Sequence, residues 1–163
     1  MSFTPSIEDA LNSVPTGTGS QSVSLSHNDP QADLTISLSG IDTLSCSVHV
    51  IEADVPSVAS ADPDLLKTWA DSLSGRLTYL LEDIGPVEFD PNSGQALLRS
   101  TKPSDDGTTK RYYELILSAN ANGSFEFRRY EAIGGQPGRQ PVDMQLTREV
   151  VGRLLNDLVE TIP

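Results

Sequence analysis

The spacing of apolar and polar positions changes period several times along this chain. Thr4 and Pro5 read as a cap and first-turn proline. Ile7, Ala10, Leu11 and Val14 then recur at helical spacing, which predicts a short helix over 5–13. Residues 13–31 lose that period and fill with Ser, Thr, Gly, Pro and Asn, the composition of a flexible linker. The expected organisation is therefore a helix and tether over 1–31, followed by one domain over 32–163. So short a helix is not stable alone and has to dock on this domain, on a second copy or on a partner.

From Leu34 the period becomes two. Leu34, Ile36 and Leu38, then Leu44, Cys46, Val48 and Val50 across a break at Gly40, predict two antiparallel strands joined by a tight turn. Val55 to Ala61 reads as a loop. Residues 62–84 carry a long helical stripe of Leu65, Leu66, Trp69, Leu73, Leu77, Leu80, Leu81 and Ile84. Asp62 is its cap, Pro63 lies in its first turn, and Gly85-Pro86 is its stop. Gly75 lies in the middle of this long helix. Such a glycine costs about 1 kcal/mol, and close approach of another backbone is the expected compensation.

Strands follow over 87–89, 95–100, 111–118 and 124–131, the first pair joined by Asp90-Pro91-Asn92-Ser93-Gly94 and the last by Asn120-Ala121-Asn122-Gly123. Residues 102–109 and 134–141 read as loops. Thr147 caps a last helix with a stripe of Val150, Val151, Leu154, Leu155, Leu158, Val159 and Ile162. The order α-β-β-α-β-β-β-β-α predicts a single α+β domain. Its mostly antiparallel sheet, of about six strands, is packed by a long central helix and a C-terminal helix on one face.

Charge narrows the function. The chain of 163 residues carries 11 Lys+Arg against 23 Asp+Glu, a net −12 with pI near 4.3, which opposes binding to a phosphate backbone or an anionic lipid surface. Residues 1–82 hold 2 basic and 11 acidic residues and residues 83–163 hold 9 and 12, so an anion site belongs in the second half. A single Cys excludes an internal disulfide and any cysteine-based zinc cluster. No leader-like segment and no run of about 18 apolar residues is visible, and a soluble, cytoplasmic protein is expected.

The chemical candidates are few. Cys46 and His49 suggest a thiol–imidazole dyad, but strand alternation places them on opposite faces. His27 falls in the expected linker. Asp90–Gly94 resembles the opening of a calcium loop, yet its glycine comes one position early and Thr101 stands where a bidentate Glu is needed. Gly134–Arg139 is glycine-rich but lacks the Lys-Ser/Thr of a phosphate loop and opens no helix. Phe125 and Phe127 have the alternation of an RNA-binding strand. They fit better in a core with Tyr113, Leu115 and Leu117. Pairs of carboxylates sit at helix ends and loop tips. No catalytic residue, metal site or cofactor is expected.

The alternate face of the later strands is more informative. Tyr112, Ile116, Arg128 and Tyr130, with Leu98, Glu114 and Glu126, compose a mixed aromatic, aliphatic and charged surface suited to a protein contact. A competing use of the same region is anion or small-molecule binding by Arg99, Arg111, Arg128 and Arg129, provided that they converge on one pocket.

Several features together resemble the type III secretion chaperone fold, in the broad group of YbjN-like proteins. These are the helix over 5–13, the central helix over 62–84, Gly85-Pro86-Val87-Glu88-Phe89-Asp90-Pro91-Asn92-Ser93-Gly94 feeding a strand, and the closing Leu154-Leu155-Asn156-Asp157-Leu158-Val159-Glu160. Two strands precede the central helix in this reading, where that family usually has three. The hairpin over 110–131 has no obvious counterpart there. The resemblance implies a non-enzymatic homodimer that holds another polypeptide, whose identity it does not give. Among the sequence readings, a protein-binding adaptor leads, anion binding follows, and single-stranded RNA binding comes third.

Overall fold

In a computed structural model, residues 4–90 and 92–163 are described. Three α-helices, α1 (Thr4–Asn12), α2 (Pro63–Arg76) and α3 (Arg148–Glu160), accompany a ten-stranded antiparallel sheet. Its strands are β1 (Gly17–Asn28), β2 (Gln31–Ile41), β3 (Ser45–Asp54), β4 (Ile84–Asp90), β5 (Gln95–Ser100), β6 (Ser104–Asp105), β7 (Thr109–Ser118), β8 (Ser124–Ile133), β9 (Gln140–Val142) and β10 (Met144–Thr147). The main path runs β1-β2-β3-β8-β7-β5-β4. β10 lies beside β3, β6 beside β7 and β9 beside β8.

One apolar row crosses almost the whole sheet and explains its register. Val23 stands opposite Ile36, Ile36 opposite Ile51, Ile51 opposite Phe127, Phe127 opposite Leu115, and Leu115 opposite Leu98. All six are buried in one core with Ile7 and Leu11 of α1, Leu66, Trp69 and Leu73 of α2, and Val151, Leu154 and Leu155 of α3. A slip of one residue in any strand would turn its share of this row to the other face. The three helices thus cover one side, here the inner face. Phe125, Phe127, Tyr113, Leu115 and Leu117 belong to that core, so the two phenylalanines form no platform for bases.

Six strands have the positions expected from the sequence, and four do not. The largest correction is β1, because the stretch expected to be a linker is a twelve-residue strand paired with β2. Only Val23 and Leu25 give it an apolar signal. A strand at the edge of a sheet needs little more, since its outward row (Ser22, Ser24, Ser26) meets solvent. The helix ahead of it docks in cis: Ile7 and Leu11 are fully buried in the core of the same chain. Short β6 lies inside one expected loop and β9 begins at the end of the other, and β10 places Met144 and Leu146 in the core.

The central helix is shorter than its apolar stripe. It starts as expected, with the Asp62 carboxylate accepting from the Leu65 amide at 2.9 Å, but it ends at Arg76. Leu77 continues into the core as non-helical chain, Leu81 is exposed, and Ile84 pairs in a strand with Ser100. Gly75 is consequently the next-to-last helical residue rather than a central one. It is exposed, and an added Cβ would meet nothing within 4 Å, so no backbone of the described residues packs against it.

Polar contacts hold the irregular segment after α2. Arg129 forks onto Glu82 at 3.1 and 3.2 Å, and the Ser100 and Ser104 hydroxyls donate to the same buried carboxylate. Arg129 also lies 4.3 Å over the Tyr113 ring. Tyr79 donates to Asp157 of α3 at 2.7 Å beneath the Arg153 guanidinium. Trp69 in α2 donates its indole N–H to Thr161, just past α3, at 3.0 Å.

Both expected hairpins form. Asp90 stands opposite Gln95 across the Asp90–Gly94 turn, whose Pro91 lies outside the described residues, and Ser118 stands opposite Ser124 across 119–123. Gly123 there has φ +77°, and a Cβ on it would lie 2.3 Å from the Val55 carbonyl oxygen. No helix among the described residues is long and apolar enough to cross a membrane.

Candidate functional site

The sheet face opposite the helices brings two tyrosines and two arginines into one cluster. Tyr112 on β7 stands directly across from Tyr130 on β8, with ring centroids 6.0 Å apart. Arg99 reaches over Tyr112 from β5, 5.1 Å from its centroid. Arg139 comes from the loop between β8 and β9, where Gly135 and Gly138 both have positive φ. Its guanidinium lies 3.8 Å over Tyr130, and its Nη1 donates to the Tyr112 hydroxyl at 3.2 Å.

Both arginines meet on Glu114, which is only 3% exposed. Arg99 donates to Oε2 through Nε at 3.2 Å and Nη2 at 2.9 Å, while Arg139 donates to Oε1 at 3.0 Å and also contacts Oε2. Burial pushes the Glu114 carboxyl upward. The hydrogen bonds and charges of Arg139 and Arg99 outweigh it and hold the group below its usual range. Two cations on one carboxylate leave a surplus positive charge. Beside it lies an open depression of about 250 Å³ whose apolar wall is Leu97 and Ile116.

A second chain of contacts adjoins the first. Ser39 donates to Asp143 at 2.6 Å, Asp143 lies 3.3 Å from His49 Nδ1, His49 Nε2 lies 3.2 Å from Arg128, and Arg128 pairs with Glu126. His49 is the extra residue of a β-bulge, since Ser37 faces Val50 and Leu38 faces Val48. The bulge also shifts strand parity. Val50 is buried apart from the main core, whereas Ile51 and Ala53 take the inner face. Cys46 is buried on the opposite side from His49, and burial raises its thiol pKa, so the two make no dyad. Leu44, expected beside Cys46, is 77% exposed.

The sequence placed Tyr112, Ile116, Arg128 and Tyr130 on one surface, and the structure brings them together there. Leu98 does not belong with them: it is fully buried on the inner face opposite Leu115, and Leu97 takes the outer position. Arg139 and Arg99 complete the cluster. No period in the sequence could locate Arg139, because a glycine-rich turn folds it back across the sheet. The four arginines expected at an anion pocket do not converge. Arg99 and Arg128 point outward and Arg129 inward, and they hold Glu114, Glu126 and Glu82, while Arg111 holds Glu131 at 2.9 Å. Among the described residues, no group of three or more His, Cys, Asp or Glu is placed to hold a metal ion.

Comparison of the chain with protein-family models, with curated proteins and with solved structures finds no match.

Proposed function

We propose that this protein is a non-enzymatic, protein-binding adaptor of the chaperone type, whose contact surface is the open sheet face around Tyr112, Tyr130, Arg99, Arg139, Ile116 and Leu97. The observation that carries this reading is the Tyr–Arg cluster over a buried Glu114, on a face that no helix among the described residues covers. Tyr and Arg are favoured anchors at protein interfaces, and here the ion pairs and cation–π contacts fix them before a partner arrives. A partner that fits is a polypeptide segment presenting a carboxylate between apolar side chains. The carboxylate meets the surplus charge shared by Arg99 and Arg139, and the apolar groups enter the depression beside Ile116.

A third strand ahead of the central helix also supports the resemblance to type III secretion chaperones, for which the sequence alone offered two. The test is photo-crosslinking in living cells from an unnatural residue at Ile116, with exposed Lys67 on α2 as the reference position. A discrete adduct is expected from 116 and not from 67, and Arg139→Ala should abolish it. An adduct pattern identical at the two positions, or unchanged by Arg139→Ala, would overturn the reading.

A further inference from the structure

We infer that the free edge of β1 is a self-association surface, on which two copies of the chain pair β1 with β1 antiparallel about a two-fold axis. Among the described residues β1 has a strand neighbour on one side only. Its register with β2 is unbroken from Gln21 to Asn28. Over residues 21–26 alternate residues turn their N–H and C=O groups away from β2, leaving about six backbone groups that face no strand among the described residues.

Edge strands usually carry charge, proline or a bulge against this kind of pairing. The opposite edge does: β4 contains Pro86, and its register shifts between Pro86 and Glu88. β1 contains neither proline nor a charged residue, and its one irregularity lies upstream, between Thr18 and Gln21.

The charge pattern admits a second copy as the occupant. Two chains of net −12 repel each other, yet from Ala10 to Asn28 there is no Asp, Glu, Lys or Arg. This uncharged segment contains the whole edge. An antiparallel ladder between identical strands is self-complementary, as a two-fold interface requires. Pro86 and the register shift of β4 oppose head-to-tail pairing of β1 with β4, so association closes at the dimer instead of growing into a fibre. Pairing also covers Leu25, which is half-buried at the rim of the core.

Light scattering on the full chain over a range of concentrations should give twice the 17.5 kDa chain mass, with dissociation on dilution. Added salt should tighten the dimer, because it screens like-charged copies. It should weaken a carboxylate partner held by Arg99 and Arg139. Ser22→Glu with Ser24→Glu, both at exposed outward positions, should weaken the dimer at least tenfold, and Tyr130→Ala should leave it intact. A nitroxide on Ser24→Cys should report a distance between copies of under roughly 20 Å, since paired strands lie about 4.8 Å apart. A monomer at every concentration overturns the inference, as does a dimer that survives both glutamates or holds the labels far apart. Loss of the Ile116 crosslink with the dimer unchanged counts against the adaptor reading alone.

Discussion

Glu114 shows how one residue can be placed by sequence while its role is not. Strand alternation puts it on the outer face, and the register sets it directly opposite Arg128. Its carboxylate nevertheless takes Arg99 and Arg139, and Arg128 turns to Glu126 and His49. Because Glu114 is held below its ordinary value of 4.5, its ionised form stabilises the fold fully above that pH and loses the contribution as pH falls through the folded value. Urea unfolding at successive pH values should therefore show stability falling below about pH 4.5, with a shallower fall in Glu114→Gln. Glu82 stands in contrast, since nothing in the sequence marks it off from the other carboxylates near helix ends. The fork from Arg129 and two serine hydroxyls makes it a buried anchor. Removing one partner of a buried pair leaves the other charge uncompensated. Glu82→Ala should cost about 3–5 kcal/mol in denaturant unfolding, far more than an exposed pair such as Arg111–Glu131.

At the scale of elements, capped helices and hairpins were legible because their signals are local. Asp62, Thr147 and the 120–123 turn act where they stand in sequence. What was not legible depends on distant neighbours. β1 reads as a linker because an edge strand with a solvated row needs only Val23 and Leu25. The helix over 62–84 reads too long because Leu77 and Leu80 pack on the same core after the helix has ended, and apolar spacing cannot distinguish the two. Leu98 and Leu97 exchange faces through one step of parity. Arg139 depends on a turn that periodicity does not describe.

Two glycines turn these lessons into tests of opposite sign. Gly75 is helical, exposed and free of close neighbours, so Gly75→Ala should stabilise the protein by about 0.5–1 kcal/mol, read from thermal or urea unfolding. Gly123 has a positive φ and the Val55 carbonyl where a Cβ would go. Gly123→Ala should destabilise by more than about 1 kcal/mol and loosen the β7–β8 turn.

At the scale of the whole molecule, net charge and sheet register act together. At one end of the outer face the main path sets like charges directly across from each other: Asp33 opposite Asp54, and Glu52 opposite Glu126. The apolar row on the inner face dictates this register, so the acidic crowding follows from burying Ile36, Ile51 and Phe127. Ser26 donates to Asp33 and Arg128 pairs with Glu126, which eases one member of each pair. Like charges across a ladder cost about 0.2–1 kcal/mol each, and a chain of net −12 adds a diffuse repulsion of the same sign. Salt should therefore raise the melting temperature. Glu52→Gln should raise stability by about 0.5 kcal/mol at low ionic strength and reduce the response to salt. The effect is specific to register, because an exposed carboxylate outside this array, such as Asp71 on α2, gives a similar change in net charge without a like charge opposite. If Asp71→Asn stabilises as much as Glu52→Gln, the repulsion belongs to the overall charge. A larger gain at Glu52 assigns it to the cross-strand pairs that the buried row imposes.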